Sequence, residues 1–380
     1  DLLTVNGNLS LAGTLNLAQS AGGSFSAGIY RLINYTGTLT ANAMTIGSAP
    51  TPLSYLTLQT NTANQVNLVN TGGLTLNLWD GSNAAAFNNG QVEGGSGTWR
   101  AGSPGDNWTD ANGLANGTWV QDGFAIFSGT AGTVTVDNKG TGGAVRLGGA
   151  QFAVDGYTIG GDALTMNTAG SVIRVGDGTA AGAGMSATID AAITGTGGLV
   201  KDDLGTLVLG GVNSYAGGTT VKGGILQIAS DANLGAAAGG LALAGATLHA
   251  TGDIASARAV SLGAGNNRLD VDAARTLALN GAVSGAGSLR KIGAGTLRLG
   301  AANAYAGGTF VDAGTLATDV TGALGSGAAS VAAGATLQLG GGFAAGGAAI
   351  GNQGTVRFQD NASAGTSTIT NAAGAVLAFA

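Results

Sequence analysis

The side chains with the clearest chemical potential in this sequence are carboxylates that stand close together. They are Asp155 with Asp162, Asp202 with Asp203, and Asp270 with Asp272. Two carboxylates that flank a glycosidic bond can act as acid and base, or as acid and nucleophile, in its hydrolysis. Asp270 and Asp272 would project from one face of a strand, because strand side chains alternate with a period of two. An enzyme that acts on polysaccharides is therefore one alternative for this chain.

Other catalytic or metal-binding arrangements find no support in the sequence. A serine triad would have to use His249, the one histidine, and the chain has no G-x-S-x-G elbow. The absence of cysteine excludes a thiolate zinc site. The stretches "GGSGTW" (94–99) and "DNKGTGG" (137–143) lack the ligand patterns of calcium repeats and of EF-hands. We predict no catalytic residue, no metal and no cofactor, and we expect His249 at an exposed strand position.

The four tryptophans are the candidate binding residues. Trp79, Trp99, Trp108 and Trp119 all fall within a loop-rich segment that also holds the single glutamate, Glu93. Exposed indoles can stack on sugars or anchor a protein interface. Alternatively, these side chains could form the local core of this segment together with Phe87, Phe124 and Phe127. The sequence leaves both interpretations open.

Composition limits the classes of protein and partner. Of 380 residues, 73 are glycine and 3 are proline, which excludes collagen. The chain is 44% hydrophobic and 9% charged, the opposite of a disordered segment. Fourteen basic residues scattered through an acidic chain make nucleic acid an unsuitable partner. No apolar run reaches the length needed to span a bilayer as a helix, and the sequence does not open with a signal peptide.

One long sequence segment occurs twice, ninety residues apart. Residues 199–226 and 289–316 align without a gap and are identical at 16 of 28 positions. One identical position is Lys201 in the first copy and Lys291 in the second, and we expect both lysines to snorkel at a coil edge. The retained positions that we assign to the repeat scaffold are Leu199, Gly205, Thr206, Leu207, Leu209, Asn213, Tyr215, Gly217, Gly218, Thr219, Val221, Gly224, Leu226, Leu289, Gly295, Thr296, Leu297, Leu299, Asn303, Tyr305, Gly307, Gly308, Thr309, Val311, Gly314 and Leu316.

Retained apolar positions alternate with variable ones in both copies, which indicates strands with one buried face. Similar short alternating stretches, separated by Gly, Asn or Asp, cover the rest of the chain. A long internal repeat favours a solenoid, in which each coil packs on the next. We therefore predict an all-β fold, a single parallel β-helix with coils of roughly 20–25 residues, so that ninety residues make about four coils.

We divide this solenoid into three sections. Residues 1–75 are a first β-helix section, and residues 76–130 are a loop-decorated or inserted Trp-rich region. Residues 131–380 are a β-helix that carries the repeats at 195–228 and 285–318.

The duplicated segment resembles the autotransporter-associated β-strand repeat of type V secretion passenger domains. The second copy carries the full "KIGAGT" (291–296), whereas the first departs from it with "KDDLGT" (201–206). Both copies carry the N-x-Y-x-G-G-T-x-V element, at 213–221 and 303–311. The resemblance implies a right-handed parallel β-helix. It also implies export through the outer membrane of a Gram-negative bacterium by a C-terminal β-barrel that is absent from this sequence.

The resemblance implies a surface stalk or adhesin that also serves as a scaffold for secretion and folding. Its expected location is the cell surface, anchored to the outer membrane or released from it. Its expected partner is a host surface or extracellular matrix component, or the same passenger on another cell. A further alternative is the stalk of a protease or esterase whose catalytic domain lies outside this sequence.

Overall fold

A computed structural model describes residues 2–20, 25–41, 44–167, 170–344 and 348–380. Within these ranges the regular structure consists of 42 β-strands and four short 3₁₀ helices, without an α-helix. The helices are Leu53–Tyr55, Ala84–Ala86, Ala180–Gly184 and Asp231–Leu234. Most strands have three to five residues, because glycines in left-handed backbone conformations turn the chain between them. None of the described helices has the length and apolar character needed to cross a membrane.

The 42 described strands are numbered in chain order. The first half contains β1 Leu3–Val5, β2 Leu9–Leu11, β3 Thr14–Asn16, β4 Gly28–Tyr35, β5 Leu39–Ala41, β6 Thr45–Ser48, β7 Leu56–Gln59, β8 Gln65–Asn70, β9 Leu76–Trp79, β10 Gly97–Trp99, β11 Trp108–Thr109, β12 Phe124–Phe127, β13 Thr133–Val136, β14 Arg146–Leu147, β15 Gly149–Phe152, β16 Tyr157–Gly161, β17 Leu164–Met166, β18 Ser171–Val175, β19 Ser186–Ile189, β20 Ile193–Gly195, β21 Leu199–Asp202 and β22 Thr206–Leu209. The second half contains β23 Thr219–Val221, β24 Ile225–Ile228, β25 Leu241–Leu243, β26 Thr247–Ala250, β27 Ile254–Ser256, β28 Val260–Leu262, β29 Asn266–Val271, β30 Thr276–Leu279, β31 Val283–Gly285, β32 Ser288–Ile292, β33 Thr296–Leu299, β34 Ala304–Tyr305, β35 Thr309–Val311, β36 Thr315–Thr318, β37 Ala329–Val331, β38 Thr336–Leu339, β39 Ala349–Asn352, β40 Thr355–Phe358, β41 Thr368–Asn371 and β42 Val376–Phe379.

The chain divides into two compact units, residues 1–207 and 208–380. In unit 1, three parallel sheets run β10-β13-β16-β19, β9-β12-β15-β18-β21 and β14-β17-β20. In unit 2, three parallel sheets run β24-β26-β29-β32-β35-β37-β39-β41, β23-β25-β28-β31-β34 and β27-β30-β33-β36-β38-β40-β42. Successive strands of the chain visit the sheets in turn, so the predicted parallel β-solenoid is confirmed.

Unit 1 also contains antiparallel pairing, which a uniform solenoid does not predict. Strand β8 lies between β4 and β7 and is antiparallel to both. The turn between β7 and β8 ends at Asn64, whose φ of 62° is a left-handed conformation that asparagine tolerates. This antiparallel sheet is fastened to the solenoid by the buried amide of Gln151, which accepts from Ile29 N at 2.6 Å and donates to Ile29 O at 2.8 Å.

Unit 2 has an aliphatic interior arranged as ladders of one residue per coil. Along one sheet, Leu277 pairs with Leu297, Leu297 with Leu316, and Leu316 with Leu337. All four side chains are buried. The steps along the chain are 20, 19 and 21 residues, so each inward leucine packs on its counterpart one coil away.

The sequence repeat of unit 2 is out of phase with these coils. Strand β23 of the first copy corresponds to β35 of the second, and β24 corresponds to β36. However, β35 lies in the sheet that contains β24, four strands further along, and not in the sheet that contains β23. Ninety residues therefore correspond to four coils and one further side of the solenoid, close to the predicted number of about four coils. The reason for the further side is coil length, because four coils of about 21 residues leave room for one more strand and turn.

Candidate functional site

The four tryptophans lie in the interior of unit 1. Their exposed fractions are 0% for Trp79, 1% for Trp99, 2% for Trp108 and 3% for Trp119. Of the two interpretations that the sequence leaves open, these exposures agree with a local core and not with an exposed binding cluster. Burial follows from their size, since each large indole removes more apolar surface from water inside than any neighbouring small side chain could.

Edge-to-face and tilted ring contacts hold this tryptophan cluster together. The Trp108 ring lies 5.1 Å from that of Trp79, 4.9 Å from that of Trp99 and 4.8 Å from that of Trp119, measured between centroids. Phe127 adds a contact of 5.7 Å with Trp108 and stacks on Phe152 at 4.9 Å. The cluster thus joins a loop-rich segment to the regular coils that follow it.

Backbone pairing places Trp108 at the centre of this cluster. Strand β11 runs antiparallel to β9, with Trp108 opposite Trp79, and Trp108 also exchanges backbone hydrogen bonds with Gly117. The indole of Trp79 donates to Gly95 O at 2.8 Å, and that of Trp119 donates to Arg146 O at 3.1 Å. These bonds connect separate loops through the aromatic interior, so the cluster has a structural role.

The repeat encodes a small hydrogen-bonded unit around a buried tyrosine. In the first copy the Tyr215 hydroxyl lies 2.7 Å from Thr219 Oγ1, which donates to Leu234 O at 3.2 Å. In the second copy Tyr305 and Thr309 reproduce this with Leu324 O, at 2.5 and 2.9 Å. Burial raises the pKa of both tyrosines to about 12, so the donating hydroxyl is kept.

An asparagine and a glycine complete each repeat unit. Asn213 Nδ2 donates to Asn233 O, and Asn303 Nδ2 donates to Ala323 O, both at 2.6 Å. Gly235 (φ 82°) and Gly325 (φ 70°) lie against the tyrosine rings, where a β-carbon would come within 2.6 and 2.9 Å of ring atoms. Every one of these bonds joins the repeat to the segment just after it, so each copy closes locally.

The two repeated lysines are buried, which corrects the prediction that they snorkel at a coil edge. Lys201 and Lys291 are both 0% exposed. Lys291 pairs with Leu269 on one side and Val311 on the other, so it occupies an inward position of an apolar ladder. A buried ammonium needs hydrogen-bond acceptors because desolvation is costly. Lys291 Nζ donates to Ile292 O, Gly293 O and Ala313 O at 2.7, 2.8 and 3.2 Å.

The pKa of Lys291 provides a test of its burial. Desolvation lowers this pKa from 10.5 to about 8, against the opposing influence of Asp270. Between these values the unfolded chain binds more protons than the folded chain, so the free energy of unfolding should rise as the pH increases from 8 to 10. We expect a gain of about 1 kcal/mol, less than a full shift would give. Urea unfolding of the wild type and of Lys291→Met at a series of pH values measures it.

The comparison with Lys291→Met isolates the lysine contribution. Tyr215 and Tyr305 have pKa values raised to about 12, so they weaken the fold only as the pH rises above 10, and they do so equally in both proteins. A difference between the two proteins that stays constant from pH 7 to pH 10 would show that Lys291 titrates like a solvated lysine.

His249 and its acidic neighbours lie on the outer face of unit 2. His249 Nε2 is 2.8 Å from Asp272 Oδ1, and the two side chains are 22% and 48% exposed. His249 lies in a strand, as predicted, and its side chain is partly buried rather than exposed. Asp270 pairs with His249 across the strands. Among the described residues no group of three or more His, Cys, Asp or Glu side chains could hold a metal ion.

The other predicted aspartate pairs have structural partners. Asp203 Oδ2 accepts from Arg174 Nη2 at 2.9 Å, and both side chains are largely buried. Asp155 Oδ1 accepts from Ser186 N at 2.7 Å, and Asp162 Oδ2 accepts from Asn138 N at 3.0 Å. These carboxylates are engaged in holding turns and neighbouring coils.

Sequence reasoning missed Arg258, the most extensively bonded charged residue of unit 2. Its side chain is 1% exposed, and Nε donates to Asp231 Oδ1 at 2.9 Å. The two Nη atoms donate to the backbone carbonyls of Asp231, Gly235, Ala236 and Gly239. The one available signal was an arginine inside the small-residue stretch "IASARAV" (254–260).

Comparison with known proteins identifies the repeats and a relative. The family model described as Passenger-associated-transport-repeat matches residues 199–228 and 289–317. The protein named Adhesin BmaC autotransporter, from Brucella suis biovar 1 (strain 1330), is 48% identical to this chain over 332 residues. The alignment covers 86% of the chain but 9% of that relative. No solved structure matches the chain. The repeats and this similarity show that the chain belongs to the family of autotransporter passenger domains that carry passenger-associated transport repeats.

Proposed function

We propose that this chain is a non-catalytic segment of an autotransporter passenger that acts as a surface adhesin or stalk and as a scaffold for secretion and folding. The single observation that carries the proposal is the 48% identity over 332 residues to a protein named as an autotransporter adhesin. The chain spans 9% of the length of that relative. The proposed location is the cell surface of a Gram-negative bacterium, anchored to the outer membrane or released from it.

The geometry of the repeat supports the scaffold role. Tyr215 and Tyr305 bond to a threonine of their own copy, and that threonine donates to a backbone carbonyl of the segment that follows. A solenoid of this kind can fold coil by coil, because each coil contacts only its neighbours. A chain that emerges progressively from a membrane pore can therefore close each repeat as soon as the next turn has emerged. The absence of cysteine removes disulfide formation from this process.

Adhesion is tested in the full-length protein displayed on bacteria. We expect in-frame deletion of these 380 residues to reduce attachment to cultured host cells, or clumping of the bacteria, after correction for the amount of passenger on the surface. The comparison of attachment with clumping distinguishes a host component from a second copy of the passenger as the partner. Unchanged attachment and unchanged clumping at equal display would contradict the adhesin role.

The scaffold role has a separate readout. We expect Tyr215→Ala combined with Tyr305→Ala to lower the fraction of passenger that reaches the surface, because both repeat units lose their closing hydrogen bonds. Val212→Ala, at a side chain that is 74% exposed, is the matched control. Normal surface display of the double variant would contradict the scaffold role. Hydrolysis of an acidic polysaccharide that is lost in Asp270→Asn would contradict a non-catalytic function.

A further inference from the structure

A polar cleft lies in unit 1 between the antiparallel sheet and the coils beside it. Its volume is about 170 Å³. The polar side chains that line it and enter the argument are Arg31, Gln59, Asn61, Asn67, Gln91 and Asp177. Gln59 and Asn67 come from β7 and β8, whereas Asp177 follows β18, so the cleft exists because β4, β7 and β8 dock against the solenoid.

Buried polar atoms without partners are concentrated in this cleft. Ten such side-chain atoms occur in the described part of the chain, and four of them line the cleft: Arg31 Nε, Asn61 Oδ1, Asn67 Oδ1 and Asp177 Oδ2. Native structures leave few such groups unpaired, because each one forfeits its hydrogen bonds to water. Asn67 and Asp177 are only 4% and 3% exposed, so bulk water does not solvate them freely.

The remaining contacts of these side chains hold them in place, and two of the four atoms, Asn61 Oδ1 and Asn67 Oδ1, have neither a hydrogen bond nor an ion pair. Asn67 Nδ2 donates to Gln59 Oε1 at 3.1 Å, while Gln59 Nε2 donates to the backbone carbonyl of Ala111. Asp177 Oδ1 accepts from the hydroxyl of Thr179 at 2.7 Å. Arg31 Nε and Asp177 Oδ2 are 3.3 Å apart, an ion pair without the alignment of a hydrogen bond. The cleft thus presents donors and acceptors whose orientation is already set.

The chemistry of the lining indicates an uncharged ligand with several hydroxyl groups. The only charged side chains are Arg31 and Asp177, and they compensate each other. An anion or a cation would leave one of them unbalanced in a partly buried site. Amide groups can donate and accept at once, as a hydroxyl does. Leu78 and Val92 add an apolar surface for the C–H groups of such a ligand.

We propose that the polar cleft is a binding site for one ring of a neutral saccharide. The cleft is similar in size to a cavity of about 150 Å³ that holds one six-membered ring, so it suits one sugar ring and excludes a folded protein element. The exposed side chain of Gln91 stands at the rim, where a longer glycan would leave the cleft. This proposal does not depend on the proposed function, because adhesion could use another surface and a saccharide could bind without adhesion.

Saturation-transfer NMR on the purified chain tests the site. The probes are D-glucose, D-galactose, D-mannose and N-acetyl-D-glucosamine, with N-acetylneuraminic acid as the charged comparison. We expect at least one neutral sugar to bind with a dissociation constant of about 1 mM, typical of a few hydrogen bonds in an open site. Asn61→Ala and Gln91→Ala should each weaken binding about fivefold, the effect of removing one ordinary hydrogen bond.

The control is Gln353→Ala, which removes an exposed amide from unit 2 and should leave binding unchanged. Gln91 is exposed and its side chain makes no hydrogen bond to any described residue, so its replacement should leave the fold intact, which thermal unfolding verifies. Absence of binding by all four neutral sugars would overturn the proposal and indicate that ordered water satisfies the cleft. Binding of the charged sugar alone, or equal binding by all variants, would overturn it as well.

Discussion

Replacement of Trp108 by alanine is expected to lower the free energy of unfolding of unit 1 by about 4 kcal/mol. The indole is 2% exposed and touches the rings of Trp79, Trp99 and Trp119 at centroid distances of about 5 Å. Its removal leaves a cavity that three rigid rings cannot fill, so both the transfer free energy and the packing contacts are lost. Denaturant unfolding followed by circular dichroism measures the change.

Two further variants show whether this loss comes from the aromatic interior. Trp108→Phe retains one ring and should recover about half of the difference, since aromatic contacts persist. Leu114→Ala removes an apolar side chain from the same segment, but one that is 61% exposed, and should change the free energy of unfolding by less than about 0.5 kcal/mol. A loss for Trp108→Ala no larger than that for Leu114→Ala would contradict the buried position of the indole.

The second large effect is expected for Arg258→Met, which should lower the free energy of unfolding of unit 2 by about 4 kcal/mol. The guanidinium is 1% exposed and binds one carboxylate and four backbone carbonyls around the short helix Asp231–Leu234. Methionine preserves much of the side-chain volume of arginine. The decrease in the free energy of unfolding therefore measures the effect of leaving the buried carbonyl and carboxylate acceptors without donors. Thermal and denaturant unfolding of the purified chain measure it.

Arg258→Lys and Arg298→Met are the informative controls. Lysine keeps the charge but cannot form the planar fork that reaches separate carbonyls, so it should recover little of the stability. Arg298 pairs with Asp319 at 2.7 Å but is 47% exposed, and its loss should change the free energy of unfolding by at most about 1 kcal/mol. Equal effects of Arg258→Met and Arg298→Met would show that the buried network adds nothing beyond a surface ion pair.

The polar interior residues share one task, which is to hold successive coils together where no strand can. Arg258 donates hydrogen bonds to the carbonyls of a turn, and Lys291 donates to carbonyls of two neighbouring coils. Thr219 and Thr309 each donate to a carbonyl in the turn after their own repeat. A coil made of three short strands exposes many turn carbonyls that the sheets leave unpaired. Buried donors supply the partners that these carbonyls require.

Much of the fold could be predicted from the sequence because its evidence is local. The alternation of Leu297 and Leu299 with Arg298 identifies a strand with one buried face, and the buried leucines with a half-exposed arginine follow that pattern. The recurrence of Tyr215 as Tyr305 identified a repeated scaffold, and both hydroxyls make the same bond. The sequence did not predict that corresponding strands of the two copies lie in different sheets, because this depends on the summed length of four coils.

The sequence alone determined a chain of short strands, a repeat with a structural role and a parallel solenoid, since period-two alternation and turn glycines act over a few residues. Only the tertiary structure decided that Trp108 and Lys291 are buried, that β8 pairs antiparallel with β4 and β7, and that a polar cleft forms beside Asp177. Residue type sets the free energy of burying a side chain, but long-range packing determines which groups surround it. The same lysine that would be solvated at a coil edge is held inside because three carbonyls meet there.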